Sequence, residues 1–406
     1  MMPMDGMTPL EGQAGLRGHR QLDEALLDNA AALANADQQG MLRALASAGA
    51  QVRESAALAA EANLAQIADD GRPRAVVVAG VGTAARAGDI LATVAGSRSQ
   101  VPVMAHRSAG VPGWVGAADA VIAVSASGRS PEALAAAEAA ARRGARLVAI
   151  GAPNSELQAL AERARAPFVP VPRRAPARAS LWAVTVPVLL AARTLGLVRV
   201  AEADLAETAA RLDADAERCR PTADSFVNPA KEMAIALGNS IPIVWGSSPL
   251  ATVAARRVGD MLSANARYPV VSGSLGEAGR GRVGLLDGVY GGLAEGERDI
   301  FADPDEQSDQ VRLRVLLLRD GGLADEDAAE DEPSAVEERR ADAVEALALR
   351  RGVRCDTLRG EGASPLERLA SLIAVPDFAS VYLALAHGLD PTAVPAVTEM
   401  KEFTQT

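Results

Sequence analysis

Apolar residues fall along this chain in short unbroken runs, separated by longer stretches in which they recur among Ala, Glu and Arg. The runs at 75–79, 101–105, 121–124, 146–150 and 168–171 read as strands of a parallel sheet covered on both faces. Runs at 241–245 and 311–318, with a short one near Val353, form a second set. The stretches between them read as helices, the clearest being 131–143, which opens on Ser130-Pro131 and stops at Gly144. Strands alternating with helices predict an α/β fold of two three-layer α/β/α domains with parallel sheets. The turn at Gly246-Ser247-Ser248 repeats the strand-to-glycine turn at Gly80-Val81-Gly82, so the second set reads as a weak internal repeat of the first. The domain boundaries follow: a flexible leader over 1–20, packing helices and the first domain over 21–200, and a charged helical linker over 201–225. The second domain takes 226–406, with an acidic insert at 321–333 and closing helices.

Composition narrows the function classes. A chain of 406 residues with 49% hydrophobic content can fill two or three cores, but aromatics are 3%, so Ala, Val and Leu must do the filling. A net charge of −11 argues against a nucleic-acid surface, which relies on clustered Lys and Arg. Cys219 and Cys355 have no metal-ligand spacing and are too few for a disulfide scaffold; with no charged-then-apolar leader, the expected location is the reducing cytoplasm. The most apolar stretch, 181–192, is too short to span a bilayer and contains Pro187, so it reads as a buried helix and no membrane partner is expected.

Candidate chemistry concentrates where the third run ends, in VIAVSASGRSPEAL. Ser125, Ser127 and Ser130 bring three hydroxyls into one turn, Gly128 lets the backbone bend, and a helix start with exposed amides follows. That is a setting for an anion such as a phosphate ester, and equally for an ordinary strand-to-helix turn with a serine cap. The Gly80–Ala84 turn lies at the end of the first run, and in an open parallel sheet both turns fall at the carboxyl ends of strands, facing one pocket. Ala85 stands where a dinucleotide fingerprint needs its third glycine, so NAD binding is not expected. Arg173, Arg174 and Arg178 precede the apolar helix at Leu181; a planar guanidinium there either clamps a phosphate or sugar hydroxyls or is solvated charge.

Taken together, these motifs resemble the sugar isomerase (SIS) domain family, in its two-domain branch of bifunctional phosphoglucose/phosphomannose isomerases. Ser125-Ala-Ser-Gly-Arg-Ser130 is similar to that branch's S-Y-S-G-N-T phosphate loop, and the segment 80–89 to its G-M-G-G-S-A-x-A-G-D. Asn228-Pro-Ala-Lys231 and Asn265-Ala-Arg267 resemble its N-x-A-K and E-N-A-K signatures, and Asp377-Phe-Ala-Ser and Asp390-Pro391 its closing helices. The resemblance implies aldose-ketose isomerisation of a hexose 6-phosphate without metal or organic cofactor. It implies a ligand shell of Gly82, Thr83, Ala84, Ser125, Ser127, Ser130 and Arg178, with Arg280 nearby, and a homodimer, for which the apolar helix at Leu181 is the expected pairing surface.

The chain departs from that branch at its acid/base groups. The expected glutamate of E-N-A-K falls on Ala264 and the expected histidine on Arg280; His19, His106 and His387 are the chain's histidines, and none lies in the second domain's α/β set. Three replacements are candidates. Glu277 shares the loop with Arg280 and is either a base or a solvated carboxylate. His387 lies at the end of the long C-terminal helix, as a catalytic group or a structural cap. Lys401 sits where the branch carries a lysine that assists catalysis, or on an exposed tail. Two functions therefore stand: a phosphohexose isomerase with rearranged acid/base groups, and a phosphosugar sensor or regulator that has lost catalysis.

Overall fold

The computed structural model describes residues 22–69, 71–97, 99–294, 311–321 and 333–405, with the side chains at 294, 333, 334, 401, 404 and 405 outside the description. The leader and most of the acidic insert at 321–333 therefore lie outside the described residues. Helices α1 (Glu24–Leu27), α2 (Ala30–Ala36), α3 (Met41–Ala46) and α4 (Ala48–Glu61) precede the first sheet. That sheet is made of β1 (Val76–Ala79), β2 (Val103–His106), β3 (Ala120–Ser125), β4 (Arg146–Gly151) and β5 (Phe168–Pro170), all parallel, in the order β2-β1-β3-β4-β5. Its connections are α5 (Thr83–Ala95), α6 (Pro131–Arg142) and α7 (Glu156–Ala164), followed by α8 (Leu181–Thr194). Every residue of β1 and β3 is buried, as expected of Val, Ile and Ala runs sandwiched between helical layers.

After α9 (Glu202–Arg218) and α10 (Pro229–Leu237), the second sheet repeats this plan. It holds β6 (Ser240–Gly246), β7 (Val271–Ser274), β8 (Arg312–Arg319) and β9 (Arg354–Arg359), again parallel, in the order β7-β6-β8-β9. Helices α11 (Pro249–Met261), α12 (Leu275–Ala278), α13 (Pro333–Arg350), α14 (Pro365–Ala386) and α15 (Pro395–Gln405) complete the chain. The order of β6 to β9 matches that of β1 to β4, which bears out the internal repeat. Strand β7 escapes the apolar-run reading because its sequence, VSGS, carries one glycine and two serines.

One continuous apolar core runs through both units, from Leu27 to Ala386. The segment expected as a linker contributes to it: α9 buries Leu205, Ala209 and Leu212. Helix α14 is long and apolar enough to cross a membrane, but 94% of that window is buried inside this fold, as a core helix. Helix α8 corrects the expected dimer surface. Residues 181–192 are all buried within the single chain, where α8 packs on α4 and α5, so it has no apolar face left for a second copy.

Candidate functional site

The two expected loops meet at the carboxyl edge of the first sheet. Strands β1 and β3 are neighbours there, and in a 2-1-3-4-5 order this is the switch point where ligands lodge. A Cβ on Gly80 would lie 2.6 Å from the Val124 carbonyl oxygen, so the turns can approach this closely only with glycine at that position. Gly82 has φ +58° and ψ −125° at the N-cap of α5, a backbone region that side chains avoid. Thr83 starts α5 half-buried, while the Ala84 methyl is buried in the core and can offer a ligand only its backbone.

The serine turn is knit to itself. Ser125 is 4% exposed, and its hydroxyl accepts from the Ser130 amide at 3.3 Å and lies 3.4 Å from the Ser127 hydroxyl. The Arg129 amide donates to the Ser127 hydroxyl at 3.3 Å. Gly128 has φ +68°, and a Cβ there would meet the Ser155 hydroxyl at 2.1 Å. Ser130 occupies the N-cap position of α6, but its hydroxyl does not cap the helix; it donates to the Glu132 carboxylate at 2.7 Å. A phosphate that takes the Ser130 hydroxyl therefore displaces a carboxylate.

Arg178, on the 3₁₀ turn Ala177–Ala179, ties the first unit to the second. Its Nε donates to Asn265 Oδ1 at 2.7 Å, and its terminal nitrogen donates to the carbonyls of Pro391 and of Thr392, the latter at 2.8 Å. Burial lowers its pKa, with the neighbouring charge of Asp390 acting in the opposite direction. Asn265 is fully buried in a π-helical turn, Leu262–Ala266, and donates to Ser380 at 2.9 Å. Such turns break the regular ladder and recur at functional sites. Beneath them, Arg257 pairs with Asp377 at 2.7 Å and donates to the Arg178 carbonyl at 2.6 Å.

Ala264 lines a cavity of about 640 Å³ between the units, together with Arg178, Asp260, Ser263, Ser272 and Thr392. Where a glutamate was expected the wall carries a methyl group, and the carboxylate present is Asp260, one helical turn earlier and so on the same face. Asp260 accepts from Arg86 at 2.5 and 3.1 Å, and Arg86 also binds Asp89 at 2.7 Å. Neither Asp260 nor Arg86 was singled out from sequence. The i−4 spacing of Asp260 from the Asn265-Ala-Arg motif's Ala264 is the signal that points to it.

The remaining candidates are not gathered at this cavity. Glu277, on α12, and Arg280, just after it, are exposed and outside its lining. His387 follows the last residue of α14, and its Nε2 is hydrogen-bonded to the Tyr268 hydroxyl at 2.7 Å. Lys401 lies on α15, three positions after Thr398 and four after Val397, both of which line the cavity.

On α13, burial pushes the Glu337 carboxyl up from 4.5 to about 7, with Asp320 adding to the effect and Arg340 opposing it. The folded chain thus holds this proton more tightly than the unfolded chain. Its stabilising contribution is complete below about pH 4.5 and is lost as pH rises through about 7. Glu337→Gln is accordingly expected to raise the thermal midpoint at pH 8 and to leave it unchanged at pH 4.5, as read by calorimetry.

Residues 226–403 match the family described as the bacterial phospho-glucose isomerase C-terminal SIS domain. The bifunctional phosphoglucose/phosphomannose isomerase of Caldicellulosiruptor bescii is 26% identical over 328 residues, covering 80% of this chain and 88% of that protein. Among solved structures, a hypothetical protein from Thermus thermophilus superposes with a TM-score of 0.66 at 15% identity, over 95% of this chain and 96% of that one. The C-terminal domain of glucosamine-fructose-6-phosphate aminotransferase from Francisella tularensis does so with a TM-score of 0.55 at 12% identity, over 87% and 98%. With its paired parallel sheets, the chain has the fold of the phosphosugar isomerase structures it superposes on, and its residues 226–403 are what match the bacterial phospho-glucose isomerase C-terminal SIS domain.

Proposed function

We propose that this chain binds a phosphorylated hexose and interconverts its aldose and ketose forms. In this reading Ser125, Ser127, Ser130 and the Gly82-Thr83 turn hold the phosphate, and Asp260 carries the proton. The Arg86–Asp260 ion pair carries the reading, because it sets a carboxylate of the second unit one arginine side chain away from the first turn of α5. A hexose held by its phosphate at the start of α5 then extends carbons 1 and 2 toward the cavity between the units. The carboxylate removes the proton from C2 of the open-chain aldose and returns it to C1, the hydroxyl proton passes from O2 to O1, and positive charge stabilises the enediolate oxygen between the two steps. Arg178 lines that cavity and is assigned this electrostatic role, and Lys401, three positions after Thr398 in sequence, keeps the assisting role that the resemblance implies. Proton transfer goes to Asp260 rather than to Glu277 or His387, which lie outside the lining. The name of the Caldicellulosiruptor relative supports phosphoglucose and phosphomannose as aldoses, and the proposal takes them as the 6-phosphates with fructose 6-phosphate as the ketose. A cytoplasmic location belongs to the same reading, as does a homodimer formed through a surface other than α8.

A second reading rests on Ala264: a cavity wall that carries a methyl group in place of the expected glutamate suits a protein that senses a phosphosugar without turning it over. A coupled assay with the three sugar phosphates, run beside calorimetric binding, separates the two. Turnover by the unmodified chain, with binding weakened about tenfold or more in Ser127→Ala, is the expected result. Binding without turnover favours the sensor, and neither binding nor turnover ends both readings.

A further inference from the structure

We propose that the second unit holds a site of its own for a phosphate ester, in a cavity of about 350 Å³ where Arg256 and Arg340 receive the phosphate. The cavity lies between the carboxyl ends of β6 and β7 on one side and Asp89 and Thr93 of α5 on the other. Its size is at the lower end of the range that small ligands occupy.

The second sheet repeats the strand order of the first, so the turn after β6 is the counterpart of the Gly80–Thr83 turn after β1. In open parallel sheets ligands lodge in the crevice outside the carboxyl ends of the strands, and the cavity here opens at that edge. Here its floor is polar: Ser247, Ser248 and Thr252 are 7%, 6% and 7% exposed. Ser248 caps α11 through the Ala251 amide and donates to Asp320 at 2.9 Å.

The charge around the cavity is unbalanced in favour of an anion. Elsewhere in the second unit arginines are engaged by carboxylates, Arg257 by Asp377, Arg314 by Asp356 and Arg319 by Glu338 and Asp342. Arg256 and Arg340 have neither an ion pair nor a hydrogen bond among the described residues. The carboxylates around them are already occupied: Asp89 holds Arg86 and Arg107, and Asp320 holds Arg368. Among the described residues Glu337 is the carboxyl of the wall that holds no ion pair, and its burial favours the uncharged form. Two guanidinium groups held in no ion pair, with Glu337 as the carboxyl beside Arg340, stand over hydroxyls and a helix start and make a fork suited to phosphate oxygens.

Isothermal titration with glucose 6-phosphate, inorganic phosphate and unphosphorylated glucose tests the proposal. The variants are Ser127→Ala, Arg256→Ala, Arg340→Ala and Ser127→Ala combined with each arginine variant in turn. The arginines are exposed, so their loss leaves the fold intact. The expected result is two equivalents of glucose 6-phosphate on the unmodified chain, one of them weakened about tenfold or more in Ser127→Ala and the other unchanged. That unchanged equivalent weakens about tenfold or more when either arginine is removed as well, and glucose alone does not bind. Inorganic phosphate binding as tightly as the ester identifies phosphate itself as the ligand, and tighter binding of the ester identifies a sugar phosphate. If the first loop proves inactive, one equivalent remains on both the unmodified chain and Ser127→Ala, and the arginine variants still remove it. Binding that is indifferent to both arginines overturns the proposal.

Discussion

Asp260→Asn is expected to lower kcat for fructose 6-phosphate by about 10² to 10⁴, the usual worth of a general base, while leaving the affinity for the sugar phosphate close to that of the unmodified chain. Affinity is expected to survive because the turns proposed to hold the phosphate lie on the first unit, and Asn keeps the shape of the side chain. The fold is also expected to survive. The Asp260 side chain is 51% exposed, and Arg86 retains Asp89 as a partner, so the lost ion pair belongs to the class worth little to stability. Steady-state kinetics beside calorimetric binding check this. An unchanged kcat would remove Asp260 from the mechanism.

The second large effect is on stability. Arg257→Ala leaves Asp377 in the interior without its partner, and the expected loss is about 3–5 kcal/mol, because an uncompensated buried charge is far costlier than the absence of the whole pair. Burial already raises the Asp377 pKa, with Arg257 acting against that shift. Arg257→Met combined with Asp377→Leu is expected to recover most of the loss, since it removes both charges and keeps the volume. Denaturant midpoints of the single and double variants supply the comparison; a double variant as unstable as Arg257→Ala would assign the loss to packing instead. The single variant also frees the Arg178 carbonyl, so sugar binding in chains that remain folded reports whether this pair positions Arg178.

What the sequence made legible follows from how burial writes itself into residues. Strands covered on both faces must be apolar throughout, so β1, β3, β6 and β8 stand out as continuous runs. Strand β7 lies at an edge with only Gly273 fully buried, and its serines and glycine erase the signal. The asparagine motif and the arginine ahead of α8 were also legible, and the structure joins them through the Arg178–Asn265 hydrogen bond. The Arg86–Asp260 pair was not, because it joins positions 174 residues apart and no local pattern encodes it. For Ser130 the cap position was legible but not the destination of its hydroxyl, since Glu132 competes for it. For α8 the sequence indicated burial without saying what covers it; the cover is α4 and α5 of the same chain.

The most direct test of the central claim is proton exchange at the sugar itself. The protein is incubated with fructose 6-phosphate in D₂O, and deuterium at C1 and C2 is followed by NMR. Transfer through an enediol by Asp260 predicts deuterium entering the sugar phosphate with the unmodified chain and not with Asp260→Asn. A sugar phosphate that binds to saturation and neither acquires deuterium nor changes to its isomer would contradict the isomerase and leave a phosphosugar sensor.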